Sequence, residues 1–188
     1  LRKTKIETLP KGLEVGGSLI IYGTKIKKLP EGLRVGGDLD LEGTQIKELP
    51  EGLQVVGDLT LTGTEIENLP KDLYVVGKLE FRNSRIKKLP EGLEVGSLNV
   101  SGSPIEYIPK GTIVERELML RGTKIKELPE GLEVSFLDLR ETPIEKLPKR
   151  LEVWGDLYLE GTRIKEIPRS IKVWGTIHLP EHLKDGGN

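Results

Sequence analysis

The stretch Gly43-Thr44-Gln45-Ile46-Lys47-Glu48-Leu49-Pro50-Glu51-Gly52-Leu53-Gln54-Val55 returns with small changes along the 188-residue chain, about every 20 residues. A unit this short cannot enclose a core of its own. Each offers about six aliphatic side chains, worth roughly 1.5–3 kcal/mol apiece on full burial. Ordering its backbone costs about 1–2 kcal/mol for every residue. Burial between successive units must supply the difference, so the repeat predicts a solenoid of stacked coils.

The register is set by a hydroxyl column, Thr4, Thr24, Thr44, Thr64, Ser84, Ser103, Thr123, Thr142 and Thr162. An Ile follows each hydroxyl by two residues, and a Leu-Pro or Ile-Pro step comes three further on, as at Leu49-Pro50 and Ile108-Pro109. A Gly-Leu-x-Val stretch then leads into an alternating run such as Asp38-Leu39-Asp40-Leu41-Glu42. Alternation puts successive side chains on opposite faces of a strand. Strands are expected near residues 18–22, 38–42, 58–62, 78–82, 97–101, 117–121, 136–140, 156–160 and 176–179. Between them the recurring Pro and Gly leave no uninterrupted helical window, so the return path should be extended. Two repeats fall one residue short, at Val95-Gly96-Ser97 and Val134-Ser135-Phe136, and both carry Pro after the hydroxyl (Pro104, Pro143).

The pattern Leu39-x-Leu41-x-x-Thr44-x-Ile46-x-x-Leu49-Pro50 resembles the leucine-rich-repeat core LxLxxNxLxxLP, over nearly the whole chain. The short period and the Leu-Pro step resemble the bacterial subclass. That resemblance implies a β-solenoid-like leucine-rich repeat with one parallel strand per coil and a helix-poor convex side. It also implies a bacterial or phage origin and a strand face that binds protein. Two features depart from the family. Thr or Ser stands where Asn is usual, and the full-length repeats carry an extra residue between Val35 and Leu39. The second departure keeps a three-faced parallel β-helix as the alternative. Residues 1–188 are read as a single solenoid of about nine coils, with 1–17 a partial first repeat and 176–188 the last strand and a C-terminal cap and tail. The chain opens in mid-repeat at Leu1-Arg2-Lys3-Thr4, so an N-terminal piece is expected before it.

Glycines 23, 43, 63, 102, 122 and 161 precede the hydroxyl, where the chain is expected to turn through a left-handed conformation. Asn83, the natural second choice for that conformation, fills the slot once, and Glu141, which has no such preference, is expected to mark a distorted turn. The hydroxyls are expected to bond backbone groups of adjacent coils, as Asn does in the related pattern. Nine equivalent copies exclude a nucleophile, which needs one activated copy beside a base.

Composition narrows the function class. The formal net charge is −1, without the basic surface that nucleic-acid binding needs. No run is apolar enough for a membrane helix, and no signal peptide is visible, which leaves the location open between the cytoplasm and delivery into a host cell. The absence of cysteine removes thiolate metal sites and thiol catalysis. His178 and His182 are the only histidines, and no insertion breaks the period to form a cleft. No enzyme activity, cofactor or metal is therefore expected.

Function should lie where the repeats differ, on the outward strand positions. Asp38, Asp40, Glu42 and Asp58 gather as an acidic patch suited to steering a basic partner. Met119, Arg121, Phe136, Arg140, Tyr158 and His178 gather toward the other end, and these are residue types that interfaces favour. Trp154 and Trp174 occupy equivalent positions one coil apart, so their rings are expected to stack, as a hydrophobic plug or as an exposed ledge. The expected function is non-catalytic recognition of a partner protein, of the kind an effector or inhibitor performs. Two alternatives stand beside it: a structural module that self-associates end to end, and a carbohydrate or cell-surface binder using the aromatic ledge.

Overall fold

The structure, a computed structural model, describes residues 6–22 and 24–184. They form a parallel β-solenoid of about eight turns, nearly helix-free, in which each coil gives one strand to a main sheet. The nine strands of that sheet are Leu19–Ile20, Leu39–Asp40, Leu59–Thr60, Lys78–Glu80, Ser97–Asn99, Glu117–Met119, Phe136–Asp138, Leu157–Tyr158 and Ile177–His178, stacked in chain order. We number the coils 1 to 9 after these strands. All nine fall within the windows that alternation predicts. Each ladder covers only two or three residues, because a turn follows at once.

The inward side chains build one continuous core. Leu39, Leu41, Leu59, Leu61, Leu79 and Phe81 are fully buried, and so are Ile46, Ile66 and Ile86 on the return path. Ile177 and Leu179 of coil 9 are only half-buried.

A second ladder accompanies the first. The Gly-Leu-x-Val stretches form two-residue strands: Glu14–Val15, Arg34–Val35, Gln54–Val55 and Tyr74–Val75 in one group, Glu94–Val95 with Ile113–Val114 in another, and Glu133–Val134, Glu152–Val153 and Lys172–Val173 in a third. Each coil is thus three-sided: a short strand, a corner, a main strand, then an extended segment back through the Leu-Pro step. The residues of that third side, 24–29 and their equivalents, carry neither helix nor strand.

The turn after each main strand is tight. In coil 2, Leu41 O accepts both the Thr44 N–H at 3.0 Å and the Thr44 Oγ1–H at 2.8 Å. Gly43 supplies the positive φ (62°) that the turn needs, and Asn83 (50°) and Glu141 (59°) adopt it in coils 4 and 7. Thr64, Thr123, Thr142 and Thr162 repeat the bond at 2.7–2.8 Å. The hydroxyls therefore hold their own coil rather than the neighbouring one, contrary to the expectation drawn from Asn. An Oγ one bond from Cβ reaches the carbonyl three residues back. Thr4, Gly23 and the Gly186-Gly187-Asn188 tail, also part of the sequence reading, lie outside the described residues.

The corner before each main strand is sealed differently. The Asp38 N–H donates to Ser18 Oγ (3.0 Å), Asp58 N–H to Asp38 Oδ1 (2.9 Å), Lys78 N–H to Asp58 Oδ1 (2.7 Å) and Thr176 N–H to Asp156 Oδ1 (2.7 Å). A short oxygen-bearing side chain in one coil thus satisfies the equivalent amide of the next. Lys78, Glu117 and Phe136 break this chain of acceptors, and the first two each precede one of the two shortened coils. There the backbone closes the gap: Gly77 O accepts the corner Ser97 N–H at 3.4 Å, and Arg116 O accepts the corner Phe136 N–H at 3.3 Å. In the two shortened coils a backbone carbonyl thus replaces the side-chain acceptor at the corner amide.

Beyond the last strand, Glu181–Lys184 form one helical turn. Leu183 packs against the core, and His182 Nε2 lies 2.6 Å from Ile164 O. This turn stands where the sequence places the C-terminal cap.

Close approach at the corner makes its glycines structural. A Cβ at Gly57 would strike Asp38 Oδ1 and stand 2.6 Å from the Gly37 carbonyl carbon. Gly57→Ala is expected to destabilise by about 1–3 kcal/mol through backbone displacement. Thr44→Val, which keeps shape but loses the turn bond, should cost about 0.5–1.5 kcal/mol. Unfolding midpoints by circular dichroism check both; a neutral Gly57→Ala would contradict the corner packing.

Candidate functional site

Outward side chains on coils 7 to 9 form an ordered aromatic row. Tyr158 and His178 stand opposite each other in the ladder, and their rings stack at 4.0 Å and 7°. Phe136 meets Tyr158 at 5.3 Å with a 41° tilt. Strand spacing sets this geometry, since matched positions of neighbouring strands lie about 4.8 Å apart.

Arg140 extends the row on the other side. Its guanidinium carbon lies 4.8 Å from the Tyr158 ring centre. Nε and the terminal nitrogen donate to the buried Asp138 carboxylate at 2.9 and 2.6 Å, and the Arg140 N–H donates to the same group at 3.0 Å. Hydrogen bonding to Asp138 raises the Arg140 pKa above its ordinary value, and the nearby charges of Asp138 and Glu160 add to this. Arg140 is thus a half-buried brace for Tyr158 rather than a free anchor. Met119, half-buried, faces Asp138 across the ladder. Arg121 lies at the margin, held at 2.7 Å by Glu141. The structure brings Phe136, Arg140, Tyr158 and His178 into one row and sets Met119 and Arg121 beside it.

The acidic zone carries structural work as well as charge. Asp38 and Asp58 each give one oxygen to the corner ladder, and Asp40 Oδ1 accepts the Glu42 N–H at 2.9 Å. Glu42 is exposed. The zone ends at Glu80, buried between Lys78 Nζ (2.5 Å) and Arg82 Nε (2.7 Å). Among the described residues, no three His, Asp or Glu side chains stand close enough to hold a metal ion.

Trp154 and Trp174 stack at 4.1 Å and 9°, as their spacing predicts. They are 56% and 51% exposed, so the pair is a ledge and not a plug. The corner where they sit turns their side chains away from the core.

Sequence reasoning overlooked an exposed apolar strip on the second ladder, formed by Val56, Tyr74, Val76 and Ile113. Its signal was available. Val56 and Val76 share the Trp column, and Tyr74 and Ile113 hold the outward position of their two-residue strands. A two-residue strand is too short to show alternation, so these positions had no assigned face.

Neither family models nor curated proteins match this chain.

Removal of Arg140 strands a buried carboxylate. Arg140→Ala should destabilise by about 2 kcal/mol or more, while Arg121→Ala, from an exposed pair, should cost about 0–1 kcal/mol. Equal losses in parallel urea titrations would contradict the assignment of Arg140 as a brace.

Proposed function

We propose that this solenoid is a non-catalytic recognition module of the leucine-rich-repeat kind, binding a partner protein through the strand face of coils 7 to 9. The observation that carries this reading is the half-exposed row Phe136–Tyr158–His178, with Arg140 fixed at its end. Aromatic side chains and arginine dominate binding hot spots. A row whose rings already rest on one another loses little conformational freedom on docking. Asp38, Asp40, Glu42 and Asp58 add a negative field on the same face that orients a partner carrying basic residues. In a bacterial or phage setting, as the repeat subtype implies, such a module suits an effector or inhibitor that occupies a host protein.

The test uses Phe136→Ala/Tyr158→Ala, which removes two rings and leaves the Asp138–Arg140 pair in place. After affinity capture and purification of the partner, its Kd for the variant should rise at least about tenfold, since each ring is worth roughly 1–2 kcal/mol or more at an interface centre. An unchanged Kd with an intact circular dichroism spectrum would remove the row from the interface.

A further inference from the structure

Coils 7 to 9 carry two parallel stacks, and they are built differently. In the strand-face stack, coil 9 supplies His178, coil 8 Tyr158, and coil 7 both the guanidinium of Arg140 and the carboxylate of Asp138 that holds it. In the corner stack, coil 9 supplies Trp174 and coil 8 Trp154. Coil 7 supplies only Ser135, at a corner that is one residue short. The third layer of this stack is empty.

We propose that this layer takes the guanidinium of an arginine on the partner protein, completing at the corner the arrangement that Arg140 completes on the face. This rests on the recognition reading above and names the group recognised. Trp174 covers one face of Trp154; on the other, toward coil 7, the matched residue is Ser135, whose side chain is too small to cover an indole, and Trp154 remains 56% exposed. A planar guanidinium stacks on an indole face, the strongest of the cation–π acceptors. The charge at the notch matches. Glu133 lies two residues before Ser135, is exposed, and has no ion-pair partner among the described residues. Its ladder neighbour Glu152 is paired to Lys172 at 2.6 Å, on the far side of the notch. Glu115, exposed at the corner of coil 6, adds a second carboxylate with no ion-pair partner among the described residues. The chain's own nearby cation is turned elsewhere: Arg116 reaches back over Gly96, where an added Cβ would meet its terminal nitrogen at 2.5 Å.

Trp154 and Trp174 are the only tryptophans, so intrinsic fluorescence reads this site alone. The probe is acetyl-Gly-Arg-Gly-amide, titrated beside its citrulline counterpart, which keeps shape and loses charge. A saturable change with the arginine peptide, at least about fivefold weaker with citrulline, supports the inference. So does a comparable weakening in Glu133→Gln and abolition in Ser135→Arg, which fills the layer from within, both at unchanged unfolding midpoints. Equal responses to the two peptides, or none to either, overturn it. So does saturation by the neutral sugar maltohexaose without any arginine response, which assigns the ledge to glycans. The partner-binding comparison separates the two readings. Partner binding lost in Phe136→Ala/Tyr158→Ala with no arginine response overturns this inference alone. An arginine response with no protein partner for the row supports the site and overturns the recognition reading.

Discussion

The bond that the rest of this structure depends on runs from one coil to the next at the corner before each main strand. The chain offers the amide there an acceptor in the coil before it, through Ser18, Asp38, Asp58 or Asp156, or through a backbone carbonyl in a coil made one residue shorter. Either solution keeps the coils in register. Register then places Leu over Leu and Ile over Ile in the core, and it places ring over ring on the surface. Exposed pairs between successive coils, such as Lys11–Glu31 at 2.8 Å, decorate this frame. Screened by solvent, such pairs are too weak to hold coils whose cohesion comes from fully buried aliphatic columns.

The same register produces the candidate site. Strands stacked about 4.8 Å apart hold matched aromatic rings close to contact distance, so Tyr158–His178 and Trp154–Trp174 stack without any dedicated element to position them. The difference between the two stacks lies in the outward residues of coil 7. Arg140 is tied to Asp138 and ends one stack internally, and Ser135 leaves the other open. This end therefore presents a filled row beside an open ledge.

Much of this was legible in the sequence, for definite reasons. The strand windows followed from alternation over five residues, and the left-handed turn followed from the glycine column and its substitute Asn83; Glu141, expected to distort the turn, adopts the same conformation instead. Trp stacking followed from equivalent positions one period apart. Three things were not legible. A two-residue strand shows no periodicity, so the second ladder and its exposed Val56, Tyr74, Val76 and Ile113 had no assigned face. The partner of each Thr depends on side-chain reach, which the column of identities does not reveal. Arg140 looked like a free anchor because its column was read down the sheet, whereas Asp138, two residues before it on the same face, was the group that engaged it.

The most direct test of this account is native-state hydrogen exchange at the corner amides of Asp58, Lys78 and Thr176. Bonded to carboxylate side chains of the preceding coil, they should exchange as slowly as the strand amides of Leu39 and Leu61, and Asp38→Ala should release the Asp58 amide first. Exchange of these three at the rate of unprotected amides, while the strand amides stay protected, would contradict the claim that the corner bonds hold the coils in register.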